Sequence, residues 1–160
     1  MPRTLRDEIR QRRPFRSPEQ ETQLSLIRTA ALLTDAFEQM LKPYGITSAQ
    51  YNVLRILRGA HPHGLCRNEV RDRMLTRMPD MTRLLDRMEE AGLVSRARET
   101  EDRRMVRTHI TDQGLELLHD LDEPVAQEHQ RRFGHLTGAQ LRQLTQLLGI
   151  VREATGTGES

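Results

Sequence analysis

The chain has 160 residues, a single domain's length and enough to bury a proper core; with aromatics at 3% and no Trp, Leu, Met, Ile and Ala must fill that core. The charged fraction of 30%, with both signs mixed, fits a soluble helical protein, and a net charge of +2 by itself points to no partner. The single cysteine, Cys66, excludes an internal disulfide; the polar, Arg-rich N-terminus shows no signal-peptide pattern, and no apolar run is long enough to predict a membrane span. A cytoplasmic protein is expected. Lys42 is the only lysine beside 24 arginines, a bias that a GC-rich genome produces without selection for binding.

In chain order, residues 1–16 hold six Arg against Asp7 and Glu8 and predict a short amphipathic helix through Leu5 and Ile9, ending at Pro14. Ser17-Pro-Glu-Gln20 is a helix start, with Ser as cap, Pro at the first position and Gln reaching back. That helix should run to about Lys42, stopped by Pro43 and Gly45, with Leu26, Ala30, Leu33, Phe37 and Met40 as its buried stripe. Thr47-Ser-Ala-Gln50 is a second capping box, opening a helix through Tyr51, Leu54 and Leu57 that stops at Gly59. His61-Pro-His-Gly64 reads as a turn, and Leu65-Cys66 as a minimal strand.

A short helix from Glu69 to Met74 follows, then Leu75-Thr-Arg-Met78. The next helix takes Pro79 as its first residue and Gly92 as its left-handed close. Met81, Leu84, Leu85 and Met88 form its apolar face, and Asp80, Arg83, Asp86, Arg87 and Glu90 the opposite one. Residues 93–98 and 105–110 read as short strands around the polar tip Glu99-Thr-Glu-Asp-Arg-Arg104. Thr111 caps a long helix to about Phe133 with Leu115, Leu118, Leu121 and Val125 inward and Pro124 as a kink or break. Thr137-Gly-Ala-Gln140 opens a last helix with Leu141, Leu144, Leu148 and Val151, and residues 154–160 should be a disordered tail.

Two helices joined by so short a turn suggest a helix-turn-helix, whose second helix can enter a major groove. With a hairpin after them, the order is that of a winged helix. The fold expected is therefore mainly α with a small β-wing: a winged helix-turn-helix over about 47–111, flanked by helices at about 17–42 and 112–153.

The run Thr82-Arg-Leu-Leu-Asp-Arg-Met-Glu-Glu-Ala-Gly-Leu-Val94, then Asp102-Arg-Arg104, then Ile110-Thr111, resembles the signature of the MarR family of bacterial transcription regulators. The family's wing pattern, Asp-x-Arg, five residues, then an aliphatic residue and Thr, is matched at Asp102, Arg104, Ile110 and Thr111. The resemblance covers about Glu19 to Glu153 and implies a homodimer made by the flanking helices. Two recognition helices would then lie roughly 34 Å apart and read a pseudo-palindrome in double-stranded DNA. No cofactor is implied.

That placement singles out Arg77, Thr82, Arg83 and Arg87, because arginine can bond guanine bidentately and threonine can meet a thymine methyl or a phosphate. The bland alternative for Arg87 is an ion pair with Glu90, three residues on; Glu89 points away. By resemblance, Arg104 matches the family arginine that enters the minor groove and Asp102 the acid that holds it. Arg96, Arg98 and Arg103 are phosphate candidates. Residues 67–107 hold eleven Arg against nine acids and 108–160 four against eight, so the basic surplus lies in this region and in the N-terminal arm. The arm then reads as touching DNA, packing on a partner subunit, or a partly disordered tail.

Many members of the family bind small aromatic or phenolic acids between the dimer helices and the winged helix. Phe37, Met40, Tyr44 and Tyr51 are candidates to line such a pocket, with Arg28 or His63 for a carboxylate; the alternative is that all are core and surface residues. Cys66 lies after the second long helix, away from the peroxide-sensing branch's cysteine, and the urate-responsive branch's Trp is missing, so Cys66 reads as a small buried residue before a redox sensor. His61, His63 and Cys66 would still need a further ligand to hold a metal. No Gly-rich phosphate loop or nucleophile–base pair points to an enzyme. A redox-sensing regulator and a dimeric interaction module without DNA binding are the other readings.

Overall fold

The computed structural model describes residues 3–100, 102 and 104–156. Among the described residues seven α-helices and three strands follow one another: α1 Leu5–Glu8, α2 Pro18–Leu41, α3 Ser48–Gly59, β1 Leu65–Cys66, α4 Arg67–Asp72, α5 Met81–Glu90, β2 Val94–Arg98, β3 Val106–Ile110, α6 Asp112–Phe133 and α7 Gly138–Gly156. The chain divides into two compact units, Met1–Leu118 and His119–Ser160.

Local side-chain chemistry sets most boundaries in the first unit. Ser17 Oγ accepts from the Gln20 amide at 3.3 Å, while the Gln20 side chain reaches one residue further back, to the Arg16 amide at 2.7 Å. Thr47 and Gln50 form the full reciprocal box, at 3.2 and 2.9 Å. A 3₁₀ turn, Lys42–Tyr44, closes α2 onto Gly45 at φ 72°.

Two helix starts differ from expectation. The first helix of the pair, which ends at Asp72, begins at Arg67 because the Cys66 amide donates to the Glu69 carboxylate at 2.8 Å, a capping arrangement with an unusual residue at the cap. The second begins at Met81, not Pro79, because Asp80 is a better N-cap: its carboxylate accepts from the Arg83 amide at 3.0 Å. Gly92, at φ 75°, closes α5 as expected.

The sheet order is β1-β3-β2, all antiparallel, with Leu65 opposite Thr108 and Val94 opposite Ile110. Leu65-Cys66 forms the minimal strand expected and pairs with β3 of the wing. Thr108 and Ile110 face inward with Val94, and meet a core of Val53, Leu54 and Leu57 from α3, Val70 from α4, and Met81, Leu85 and Met88 from α5. Thr111 bridges the end of the wing to the next helix: its hydroxyl donates to Gly92 O at 2.6 Å and accepts from the Gly114 amide at 3.1 Å.

The stripe expected on α2 is corrected. Only Leu41 of that helix is buried; Leu26, Leu33, Phe37 and Met40 are half-buried, Ala30 is exposed, and Ile27 and Leu32 are open to solvent at 59% and 48%. The apolar period is real, but one copy of the chain does not cover it.

In the second unit Leu121 and Val125 are buried, and Pro124 neither stops nor divides α6, which is helical from Asp112 to Phe133. The buried carboxylate of Glu128 is satisfied by Arg132 at 2.7 Å and Arg131 at 3.5 Å. Thr137 and Gln140 form the third box. The helix it opens buries none of its residues and exposes Leu144, Leu147, Ile150 and Val151. It continues through Gly156, so residues 154–156 are helical where a disordered tail was expected; the Thr155 hydroxyl donates to Val151 O at 2.8 Å and fits the last turn. Residues 157–160 lie outside the described residues.

Candidate nucleic-acid interface

Helix α5 is amphipathic in the manner a groove-reading helix requires. Met81, Leu85 and Met88 fix one face in the core, which leaves Thr82, Arg83 and Arg87 exposed on the other. The segment before it is held by the Leu75 amide donating to Asn52 Oδ1 of α3 at 2.8 Å, and it presents Arg77 to solvent. Arg77, Arg83 and Arg87 form no ion pair among the described residues, so the alternative pairing of Arg87 with Glu90 is not made. Thr82 is less free: its hydroxyl accepts from Arg67 of α4 at 3.0 Å.

At the wing, the Glu99 amide donates to Met105 O and the Met105 amide to Asp102 O, both at 3.0 Å. Asp102 does hold Arg104, though through the main chain: its carboxylate accepts from the Arg104 amide at 2.9 Å and leaves the guanidinium exposed and unpaired among the described residues. Arg98 is exposed as well, and Arg103 lies outside the described residues.

Arg96 does not match its assignment as a phosphate contact. Its guanidinium lies 2.6 Å from both Glu89 and Asp86 of α5, and its amide donates to the same Glu89 carboxylate at 3.0 Å. The side chain keeps only 26% exposure. Glu89 points away from Arg87, as its spacing predicts, because it faces the strand instead. The fork of Arg96 therefore ties the wing to α5. Its pairing with Glu89 holds the guanidinium pKa above the usual arginine value and the Glu89 carboxyl below the usual carboxylate value.

A depressed carboxylate pKa fixes the sign of the pH dependence. The stabilisation from Glu89 is complete above its unfolded pKa and is lost as pH falls through the lower folded one. Glu89→Gln is accordingly expected to lower the melting temperature at neutral pH and to match the parent chain in strongly acid buffer. A gap that persisted at acid pH would mean that packing, and not charge, is what the substitution removes.

A cavity of about 470 Å³ opens at the wing root, with Cys66, Arg67, Thr82, Arg96 and Arg104 in its wall. The residues proposed from sequence for a ligand lie elsewhere. Phe37 and Tyr51 do meet, edge to face at 5.3 Å, with Tyr51 buried and Met40 and Tyr44 half-buried. Arg28 faces Glu8 at 4.0 Å, His63 is exposed in its turn, and none of the six lines the wing-root cavity. Among the described residues no three His, Cys, Asp or Glu side chains gather as a metal site, His61, His63 and Cys66 included. No described helix is long and apolar enough to cross a membrane.

Sequence reasoning missed Arg67, Asp86 and Glu89 as supports of this surface. Nothing local marks them, because each acts on a residue of another element, seven to fifteen positions away or across the fold.

Comparison with known proteins agrees with this geometry. Residues 44–105 match the model of the MarR family. The crystal structure of a MarR transcription factor from Planctomyces limnophilus is 42% identical, with 86% of this chain and 99% of that one covered at a TM-score of 0.66. A MarR family transcriptional regulator from Streptomyces coelicolor, solved in complex with DNA, is 25% identical over 88% of this chain and 94% of its own, at a TM-score of 0.78. The HTH-type transcriptional repressor IacR of Pseudomonas putida is 29% identical over 126 residues, 79% of this chain and 74% of that protein. With its helix pair, wing and Asp102-to-Arg104 turn in place, the chain belongs to the MarR family of winged helix-turn-helix transcriptional regulators.

Proposed function

We propose that the protein is a cytoplasmic, homodimeric repressor that binds a pseudo-palindromic operator and is released by a small aromatic or phenolic acid. The observation that carries the DNA reading is the row of exposed guanidiniums without acidic partners among the described residues, Arg77, Arg83 and Arg87 along α5 and its approach, with Arg98 and Arg104 on the wing. The five stand on α5, its approach and the adjoining wing, a placement that favours a phosphate and base-edge partner. Thr82 and Arg83 serve base readout, Arg104 the minor groove, and Arg98 and Arg103 phosphates; Asp102 sets the turn that presents Arg104.

The homodimer is supported by apolar side chains that one copy leaves open, Ile27 and Leu32 on α2 and Leu144, Leu147, Ile150 and Val151 on α7. For the effector, the wing-root cavity, with Arg67 and Arg104 in its wall and Arg96 already held by Glu89 and Asp86, suits a carboxylate better than the packed Phe37–Tyr51 pair.

The test is fluorescence anisotropy on a duplex from the gene's own upstream region against a scrambled duplex, across a salt series. Preference for the native duplex is expected, and Arg104→Ala should weaken it about tenfold and flatten the salt dependence by about one counterion. Hydroxybenzoate should lower affinity for the native duplex. Equal weak binding to both duplexes would place the operator elsewhere, and no binding at low salt would turn the reading to a dimeric interaction module.

A further inference from the structure

Beyond the groups that face DNA, the outer face of the wing carries a second arginine that the DNA reading does not use. Arg107 is the second residue of β3, the central strand, opposite Cys66 of β1 and Ala97 of β2. The alternation of the strand turns Thr108 and Ile110 into the core and leaves Arg107 half-buried on the other side. Its guanidinium reaches three elements at once. It donates to the Glu99 carboxylate at the end of β2, approaches the Glu69 carboxylate of α4 at 3.8 Å, and donates to Gly64 O ahead of β1 at 3.3 Å.

Both carboxylates have a further task. Glu69 takes the Cys66 amide that starts α4. Glu99 closes the last rung of the hairpin, its amide donating to Met105 O, and the turn that presents Arg104 hangs directly from that rung. Arg107 therefore joins the start of the helix-turn-helix to the base of the wing tip, on the opposite strand and sheet face from the Arg96 clamp.

We infer that Arg107 and Glu99 are positioning residues for the wing: together they fix the pitch of the Asp102–Arg104 turn relative to α4 and α5. This inference rests on the DNA-binding reading only for its consequence, since the clamp itself is a property of the free protein. A planar fork is suited to the task because it can satisfy two carboxylates and a carbonyl in one geometry, which a lysine cannot reproduce.

Charge and position predict opposite signs here, which makes the proposal testable. Glu99→Ala removes a negative charge beside the proposed phosphate path, so electrostatics alone would tighten binding to any duplex. Loss of the clamp would instead weaken discrimination. Hydrogen exchange of the full-length protein and of Glu99→Ala and Arg107→Lys would be followed at the Glu99 and Met105 amides, with anisotropy on native and scrambled duplexes alongside. Both variants are expected to speed exchange at these two amides about tenfold, with the protected core of α3 and α5 unchanged. The preference for the native duplex should fall by a similar factor.

Unchanged exchange at Glu99 and Met105 overturns the clamp, and an unchanged preference for the native duplex in both variants overturns its role in placing the wing. Should the parent chain prefer neither duplex, the DNA reading fails by itself, and the exchange data still decide the clamp.

Discussion

Gly114→Ala is expected to lower the melting temperature by roughly 3–10 °C, at 2–4 °C per kcal/mol for a chain of this size. The sign runs against intuition, because alanine in place of a helical glycine ordinarily stabilises by up to about 1 kcal/mol. At this position an added Cβ would stand 2.5 Å from Leu93 O, 2.8 Å from Ile110 Cγ1 and 3.3 Å from Leu54 Cδ2. The nearest of these is main chain, and the same carbonyl already accepts the Thr111 amide at 3.1 Å, so it cannot withdraw without loosening the junction between wing and α6. Overpacking of this kind costs about 1–3 kcal/mol or somewhat more. Thermal denaturation of the variant checks it, and a higher melting temperature would show that the junction yields freely.

Arg83→Ala should have the largest effect on DNA recognition. Its backbone is pinned by the Asp80 cap and its helix by three buried residues, so the exposed side chain projects from a rigid base. A bidentate arginine–guanine contact is worth about 1–3 kcal/mol, so a loss of up to about a hundredfold on the native duplex is expected, with little change on a scrambled one. Arg87→Ala, one turn further along, should weaken both duplexes alike. Equal losses on the two duplexes for Arg83→Ala would reassign it as a phosphate contact.

What the sequence made legible was local. Capping boxes at Thr47 and Thr137, the glycine at Gly92 and the two-residue alternation of the wing each depend on neighbours within four positions, and the structure has them. Where two local signals competed, as Pro79 against Asp80, the hydrogen-bonding residue prevailed. Cys66 gave no capping signal at all, and the start of α4 was displaced accordingly.

Long-range chemistry was not legible. Arg96 and Arg98 look alike in a row of wing arginines, and only the fold shows that one faces Glu89 and Asp86 and the other solvent. Periodicity likewise identified the apolar face of α2 but could not say whether this chain or a second copy covers it.

The contact between Arg96 and Glu89 also bears on self-association. Glu99 directs its amide to β3, and Leu93 accepts from Thr111 on that same side, which turns the amides of Val94, Arg96 and Arg98 towards the open flank of β2. An unpaired flank of this kind is a template on which a foreign strand can add. Here its central amide is already taken by the Glu89 carboxylate, and the charged side chains of Arg96 and Arg98 stand beside it. The opposite flank of the sheet is a strand of only two residues, Leu65–Cys66. The occupied central amide on one border and the two-residue strand on the other both work against strand exchange and fibril growth through this sheet.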